Sequence, residues 1–125
     1  MNDTTTLIDD GYLAMWNETD KDLRRGIIGR TWADGGTYVD PLLEAKGAEG
    51  LDGMVAGVHE QFPGHRFRRT SSIDVHHDRL RFAWELVAPD GAVTVAGLDI
   101  AELDGGRLKA VTGFFGPLSE DGSAG

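Results

Sequence analysis

Two acidic side chains in apolar settings carry the chemistry that this chain offers. Asp99 stands inside Val93-Thr94-Val95-Ala96-Gly97-Leu98-Asp99-Ile100-Ala101, a run with no other charge. A carboxylate there must be paired, protonated or used, because burial disfavours its charged form. Asp40 closes a second strand-like run, Thr37-Tyr38-Val39-Asp40, and is followed by Pro41. Two acids so placed point to a pocket with proton chemistry. Each also has a purely structural reading. Asp40 could cap a strand end by accepting loop amides. Asp99 could be tied to an arginine or histidine, or turn outward at a bulge.

The rest of the composition removes other chemistries. With no cysteine, neither a disulfide, a thiolate metal site nor a cysteine nucleophile exists. The formal charge of −9 argues against nucleic acid as a partner. The one basic cluster, His65-Arg66-Phe67-Arg68-Arg69, reads as a solvated strand face with Phe67 turned inward rather than as an anion site. His76-His77-Asp78 invites a metal, but neighbours on a strand point to opposite faces, so no metal is expected. The first residues lack the regions of a signal peptide, and no apolar stretch could span a bilayer. A cytoplasmic protein without membrane partners is expected.

The elements that must position the acids follow from periodicity. The 125 residues, 40% hydrophobic, suit one domain, expected over 1–118, with 119–125 as a flexible tail. Ile8, Tyr12, Met15 and Trp16 recur at helical spacing over Thr6–Asn17, and Thr6 with Asp9 resembles a capping box. Thr19 with Asp22 opens a second helix with an apolar stripe of Leu23, Ile27, Ile28 and Thr31. Asp34-Gly35-Gly36 reads as a turn, Thr37–Asp40 as a strand and Leu42–Gly47 as a loop. A third helix covers Ala48–Phe62 with Leu51, Val55, Val58 and Phe62 on one face, His59 exposed, and glycines that would allow close packing. Four long strands follow: His65–His76, with Phe67, Ile73 and Val75 on one face; Arg79–Val87, with Leu80, Phe82, Trp84 and Leu86 inward; Ala92–Leu103, central; and Arg107–Phe115. Helices followed by antiparallel strands give an α+β layer arrangement whose curled sheet leaves a concave mouth. Trp16, Trp32, Phe62, Phe82, Trp84 and Phe114 are candidates to line it, Trp16 and Trp84 first among them, with Tyr38 beside Asp40.

This order of elements resembles the nuclear transport factor 2-like cone fold, which includes SnoaL-like polyketide cyclases and ketosteroid isomerases. The resemblance runs from about Thr6 to Pro117. It rests on Tyr12, Tyr38-Val39-Asp40-Pro41, Gly97-Leu98-Asp99, Gly106-Arg107-Leu108 and Gly113-Phe114-Phe115-Gly116. It implies a cone of three N-terminal helices on a curved, mostly antiparallel mixed sheet. The ketosteroid isomerase pattern implies three roles: Tyr12 as oxyanion tyrosine, Asp40 as general base, and Asp99 as a protonated, hydrogen-bond-donating acid of the kind known from that family. The structural alternative for Tyr12 is core packing. The limonene epoxide hydrolase pattern fits less well, since it needs an arginine where Gly97 stands.

The implied activity is isomerisation or aldol-type cyclisation of a small hydrophobic carbonyl compound, with no cofactor. The alternative is a non-catalytic binding module for a hydrophobic metabolite or partner. The resemblance also implies a homodimer, with Thr94, Leu98 and Ile100 offering a sheet face to a second subunit.

Overall fold

The computed structural model describes residues 3–118, so the expected tail at 119–125 lies outside the described residues. Three N-terminal helices pack on a curved seven-stranded mixed sheet, the α+β cone arrangement expected from the sequence.

The first helix is built in three consecutive pieces: α-helical Asp3–Thr6, π-helical Leu7–Tyr12 and α-helical Leu13–Asn17. Ile8, Tyr12, Met15 and Trp16 are all buried. The helix is under way by Asp3, so Thr6 lies within it in helical geometry and caps nothing. Asp9 instead forms a two-point ion pair with Arg69, both contacts at 2.8 Å.

The second helix, Lys21–Thr31, is capped by Asp20 rather than Thr19, the carboxylate accepting from the Leu23 amide at 3.0 Å. Leu23, expected in the apolar stripe, is 61% exposed. Arg24 takes the inward position. Its Nε lies 2.7 Å from Asp52 on the third helix, and its Nη1 donates to the Glu18 carbonyl at 2.7 Å. The pair is almost fully buried.

The third helix, Gly47–Gln61, buries Leu51 and Val55 and half-buries Val58. Gly53 and Gly57 do not serve close packing on the sheet, since a side chain at either would meet nothing within 4 Å; at Gly50 it would make ordinary contact with Ala45, at 3.8 Å. His59, expected to be exposed, is half-buried, with Nε2 2.7 Å from the Trp16 carbonyl oxygen.

The strands are β1 Trp32–Val39, β2 Glu44–Lys46, β3 Arg66–Arg69, β4 Asp74–His76, β5 Arg79–Val87, β6 Val93–Asp104 and β7 Arg107–Phe115. Their order is β2-β1-β7-β6-β5-β3, with β4 also pairing to β5. Only β1 and β7 run parallel. The expected loop at Leu42–Gly47 contains β2, and the expected turn at Asp34-Gly35-Gly36 is an irregular stretch of β1.

The expected strand His65–His76 breaks into β3 and β4. At the break the Ser71 hydroxyl accepts from the Ala83 amide, in the place of a strand carbonyl. Val75 beyond the break is exposed. His77 leaves the strand at φ 51°, so the two histidines do not point to opposite faces; their Nδ1 atoms are 3.3 Å apart and exposed. Among the described residues no group of three metal-capable side chains forms. The basic cluster behaves as a strand face, with Arg68 paired to Glu85 and Arg69 to Asp9. In β5, Leu80, Phe82, Trp84 and Leu86 are buried as the alternation predicts.

The buried Arg24–Asp52 pair makes the fold sensitive to losing one partner, since the remaining charge is then buried alone. Asp52→Leu is expected to lower stability in urea unfolding by about 3–5 kcal/mol. Arg24→Met combined with Asp52→Leu should recover most of that loss.

Candidate functional site

A cavity of about 120 Å³ opens between the helices and the concave face of the sheet. Its floor is made by buried Tyr12, Trp16, Tyr38, Trp84 and Asp99, and its mouth by exposed Leu42, Gln61 and Phe115. The acids reach it by different routes. Asp99 projects from the interior strand β6, while Asp40 stands just beyond the end of β1.

The Asp99 carboxylate is 2% exposed and has two donors. Tyr12 Oη donates to Oδ2 at 2.6 Å and Trp84 Nε1 to Oδ1 at 2.9 Å. Its partners are therefore a tyrosine and a tryptophan, not the arginine or histidine that a structural reading required. Burial pushes the Asp99 carboxyl up to about 6, against the two donors that favour the ionised form; the charge of Asp40 adds to the rise. Burial, and next the charge of Asp99, hold the Tyr12 hydroxyl well above the ordinary phenol range.

Asp40 is half-buried. Its Oδ1 accepts the Leu42 and Leu43 amides, both at 2.8 Å, and its Oδ2 accepts the Tyr38 hydroxyl at 2.7 Å. The strand-end cap thus coexists with a place in the cavity wall. A carboxylate has about four acceptor sites. Three are filled, which leaves one, on Oδ2. The Tyr38 hydroxyl is also held far above its usual range, by burial and then by Asp99.

Two glycines make this convergence sterically possible. Gly113 of β7 pairs with Asp99 across the ladder. A Cβ there would lie 2.8 Å from Asp99 Oδ1 and 3.2 Å from both Asp40 Cβ and Tyr38 Oη. Gly97 pairs with Trp84, and a Cβ there would strike the Phe114 carbonyl and stand 2.5 Å from the indole Cζ2. The indole needs that space to reach Asp99.

Of the expected lining residues, Trp16, Tyr38, Phe62 and Trp84 border the cavity, and Trp32 and Phe82 belong to the core. Phe114 does not line it and is 51% exposed. The reason is a bulge: Leu103 faces Leu108 while Glu102 faces Ala110, which leaves Lys109 as the extra residue. The bulge reverses the alternation of β7, so Val111, Gly113 and Phe115 turn inward. Phe67, anticipated as inward, also borders the cavity. Its backbone is clamped by the Asn17 side chain, through Nδ2 to the carbonyl at 2.9 Å and the amide to Oδ1 at 2.8 Å.

The raised Asp99 has a checkable linkage. The folded state holds this proton up to about pH 6, whereas the ordinary carboxyl releases it near 3.8. The contribution is therefore fully present below about pH 3.8 and lost as pH rises through 6. Wild type should gain on the order of 3 kcal/mol relative to Asp99→Asn as pH falls from 7 toward 4. Urea midpoints of both proteins across that range would test it, and a constant difference would contradict the assignment.

No family model matches the chain, and no curated protein does either. Solved structures do match. A SnoaL-like family protein from Agrobacterium tumefaciens, provisionally named an isomerase, is 37% identical at a TM-score of 0.87, over 94% of this chain and 100% of its own. A protein from a Jannaschia species, provisionally named a SnoaL-like polyketide cyclase, is 18% identical at 0.66, over 90% of this chain and 82% of its own. A protein with a ketosteroid isomerase-like fold from Catenulispora acidiphila, in complex with trimethylamine, is 16% identical at 0.68, over 86% and 82%. The last two establish likeness of fold alone. On the first match, which spans nearly the whole of both chains, this chain belongs to the SnoaL-like family.

Proposed function

We propose that the chain is a cofactor-free enzyme of the isomerase or cyclase type, acting on a small hydrophobic carbonyl compound by enolate chemistry in the cone cavity. The observation that carries this reading is the convergence of Asp40, Tyr38 and Asp99 around Gly113 in an otherwise apolar cavity. The isomerase and cyclase names of the relatives point the same way.

In this reading the free acceptor site of Asp40 Oδ2 takes the proton next to the carbonyl. The developing enolate oxygen sits at the floor, where Tyr12 and protonated Asp99 donate to it. Preorganised donors in a water-poor site are worth most where charge develops. Once protonated, Asp99 no longer needs both donors, so a hydroxyl proton of the Tyr12–Asp99 pair becomes available to the substrate. Asp40 then returns its proton to a different carbon, which completes an isomerisation.

A second reading, a binding module that holds a hydrophobic metabolite, is favoured by one observation. Each carboxylate oxygen of both acids already accepts from at least one protein donor. In either reading we propose a homodimer through the outer face of the sheet, where Ile100 is 38% exposed and Phe114 51%.

The test is turnover of small β,γ-unsaturated ketones to their conjugated isomers. Wild type should turn them over, and Asp40→Asn should lose about 10²–10⁴-fold in kcat. No turnover by wild type would leave the binding module. Because the donor role needs the Asp99 proton, kcat should also fall as pH rises through about 6. A rate that is flat or rising across that pH would count against the role.

A further inference from the structure

The cavity's size, wall and charge restrict what it admits. We infer that the ligand is a single uncharged six-membered ring bearing a carbonyl oxygen, which enters oxygen first, and that fused-ring compounds bind more weakly and carboxylate-bearing compounds not at all. This rests on the reading above of the cavity as the substrate site, and it names the class of that substrate.

Size sets the first limit. The volume of about 120 Å³ is somewhat below that of an engineered apolar cavity of about 150 Å³ that binds benzene. One ring fills it; a second fused ring would project past Leu42 and Phe115 into solvent or force the wall apart.

That wall is not easily widened. Tyr38, Trp16, Phe67, Trp84 and Phe115 form an arc in which each ring touches the next, with centroids 5.5, 4.9, 5.6 and 6.2 Å apart in turn. Trp84 is pinned by its bond to Asp99 and by the space over Gly97, and Phe67 by Asn17. Moving one ring displaces its neighbours. The same arc suits a flat, conjugated ring, which meets aromatic edges and faces well.

Polarity sets the orientation. The hydroxyl of Tyr12 and the carboxyl of Asp99 lie at the buried end. Half-buried Asp40 stands nearer the mouth, beside Leu42, which is 79% exposed. The buried donors for a carbonyl oxygen lie at the floor, and the other donor in the lining, the Gln61 amide, is exposed to water at the mouth; the ring therefore goes in oxygen first and leaves an adjacent carbon toward Asp40. Charge sets the last limit. The lining holds the acids Asp40 and Asp99 and no lysine, arginine or histidine, so an anionic ligand would bury its charge with no cation to pair it.

Equilibrium binding tests this without requiring turnover. Three probes at pH 5.5, where Asp99 keeps most of its proton, suffice: 2-cyclohexen-1-one, a fused bicyclic octalone enone, and cyclohex-1-ene-1-carboxylate. Trp16 and Trp84 border the cavity, so their fluorescence reports occupancy, and calorimetry confirms it. Cyclohexenone should saturate the signal, the octalone should bind at least about tenfold more weakly, and the carboxylate should not bind. Phe67→Ala, which removes a ring from the arc, should recover octalone binding, and Val58→Ala offers a gentler enlargement if the first variant is poorly folded. Octalone binding as tight as cyclohexenone, carboxylate binding, or no saturable cyclohexenone binding would each overturn the inference. If the size order holds while wild type turns over no ketone, the enolate reading fails and the inference stands.

Discussion

Burying the Asp99 carboxylate in the middle of the sheet is the constraint around which the rest of the site is arranged. Taking a carboxylate out of water costs several kcal/mol unless donors replace the lost hydration. Here Tyr12 and Trp84 replace it, and each must be delivered from a different element. The first helix brings Tyr12 at the end of its π-helical stretch, a local widening often found at functional positions. Strand β5 brings Trp84, which Gly97 lets lie across β6. Across the ladder Gly113 keeps open the space that Asp99, Asp40 and Tyr38 share. The features that look like local weaknesses, a broken helical repeat and two strand glycines, are therefore what permit an acid to sit there.

Holding Tyr12 in place is a task for the whole helical layer. The first helix is tied to the sheet edge by Asn17 on Phe67 and by Asp9 on Arg69. It is tied to the third helix by His59 on the Trp16 carbonyl. The second and third helices are joined by the Arg24–Asp52 pair. These are polar contacts with defined directions, whereas the apolar core alone would tolerate sliding. A hydroxyl that must meet a carboxylate oxygen at 2.6 Å needs directional fastening.

Much of the fold was legible because its strongest signals are periodic. Strand β5 alternates without interruption, and the burial of Leu80, Phe82, Trp84 and Leu86 follows directly. Asp99 was legible as a single charge in an apolar run. The misses share a cause, in that one side chain does something its neighbours give no sign of. Arg24 occupies an interior position that an apolar-stripe reading assigns to the outside, and its partner is 28 residues away. Ser71 replaces a backbone acceptor and divides a strand whose pattern reads as continuous. Lys109 is an extra residue in β7 that reverses every side chain after it, so the cavity receives Phe115 in place of Phe114. In the site, the candidate acids were visible from residue type and setting and Tyr12 from the family resemblance, but the donor roles of Tyr38 and Trp84 were not. Tyr38 reaching Asp40 two residues on, and Trp84 reaching Asp99 across a strand pair, depend on side-chain direction that sequence spacing does not fix.

The division of the expected long strand into β3 and β4 has a consequence beyond the cavity. With β2 they are the strands at the borders of the sheet, and they are only four, three and three residues long. They carry Arg66, Arg68, Arg69, Asp74, Glu44 and Lys46. An open border of unpaired amides and carbonyls is a template on which a foreign extended chain can add, and short, charged borders are the usual defence. A neighbouring chain that tried to lengthen these ladders would lose its register within a few residues and meet charge as it did so, which steers this protein away from edge-on polymerisation.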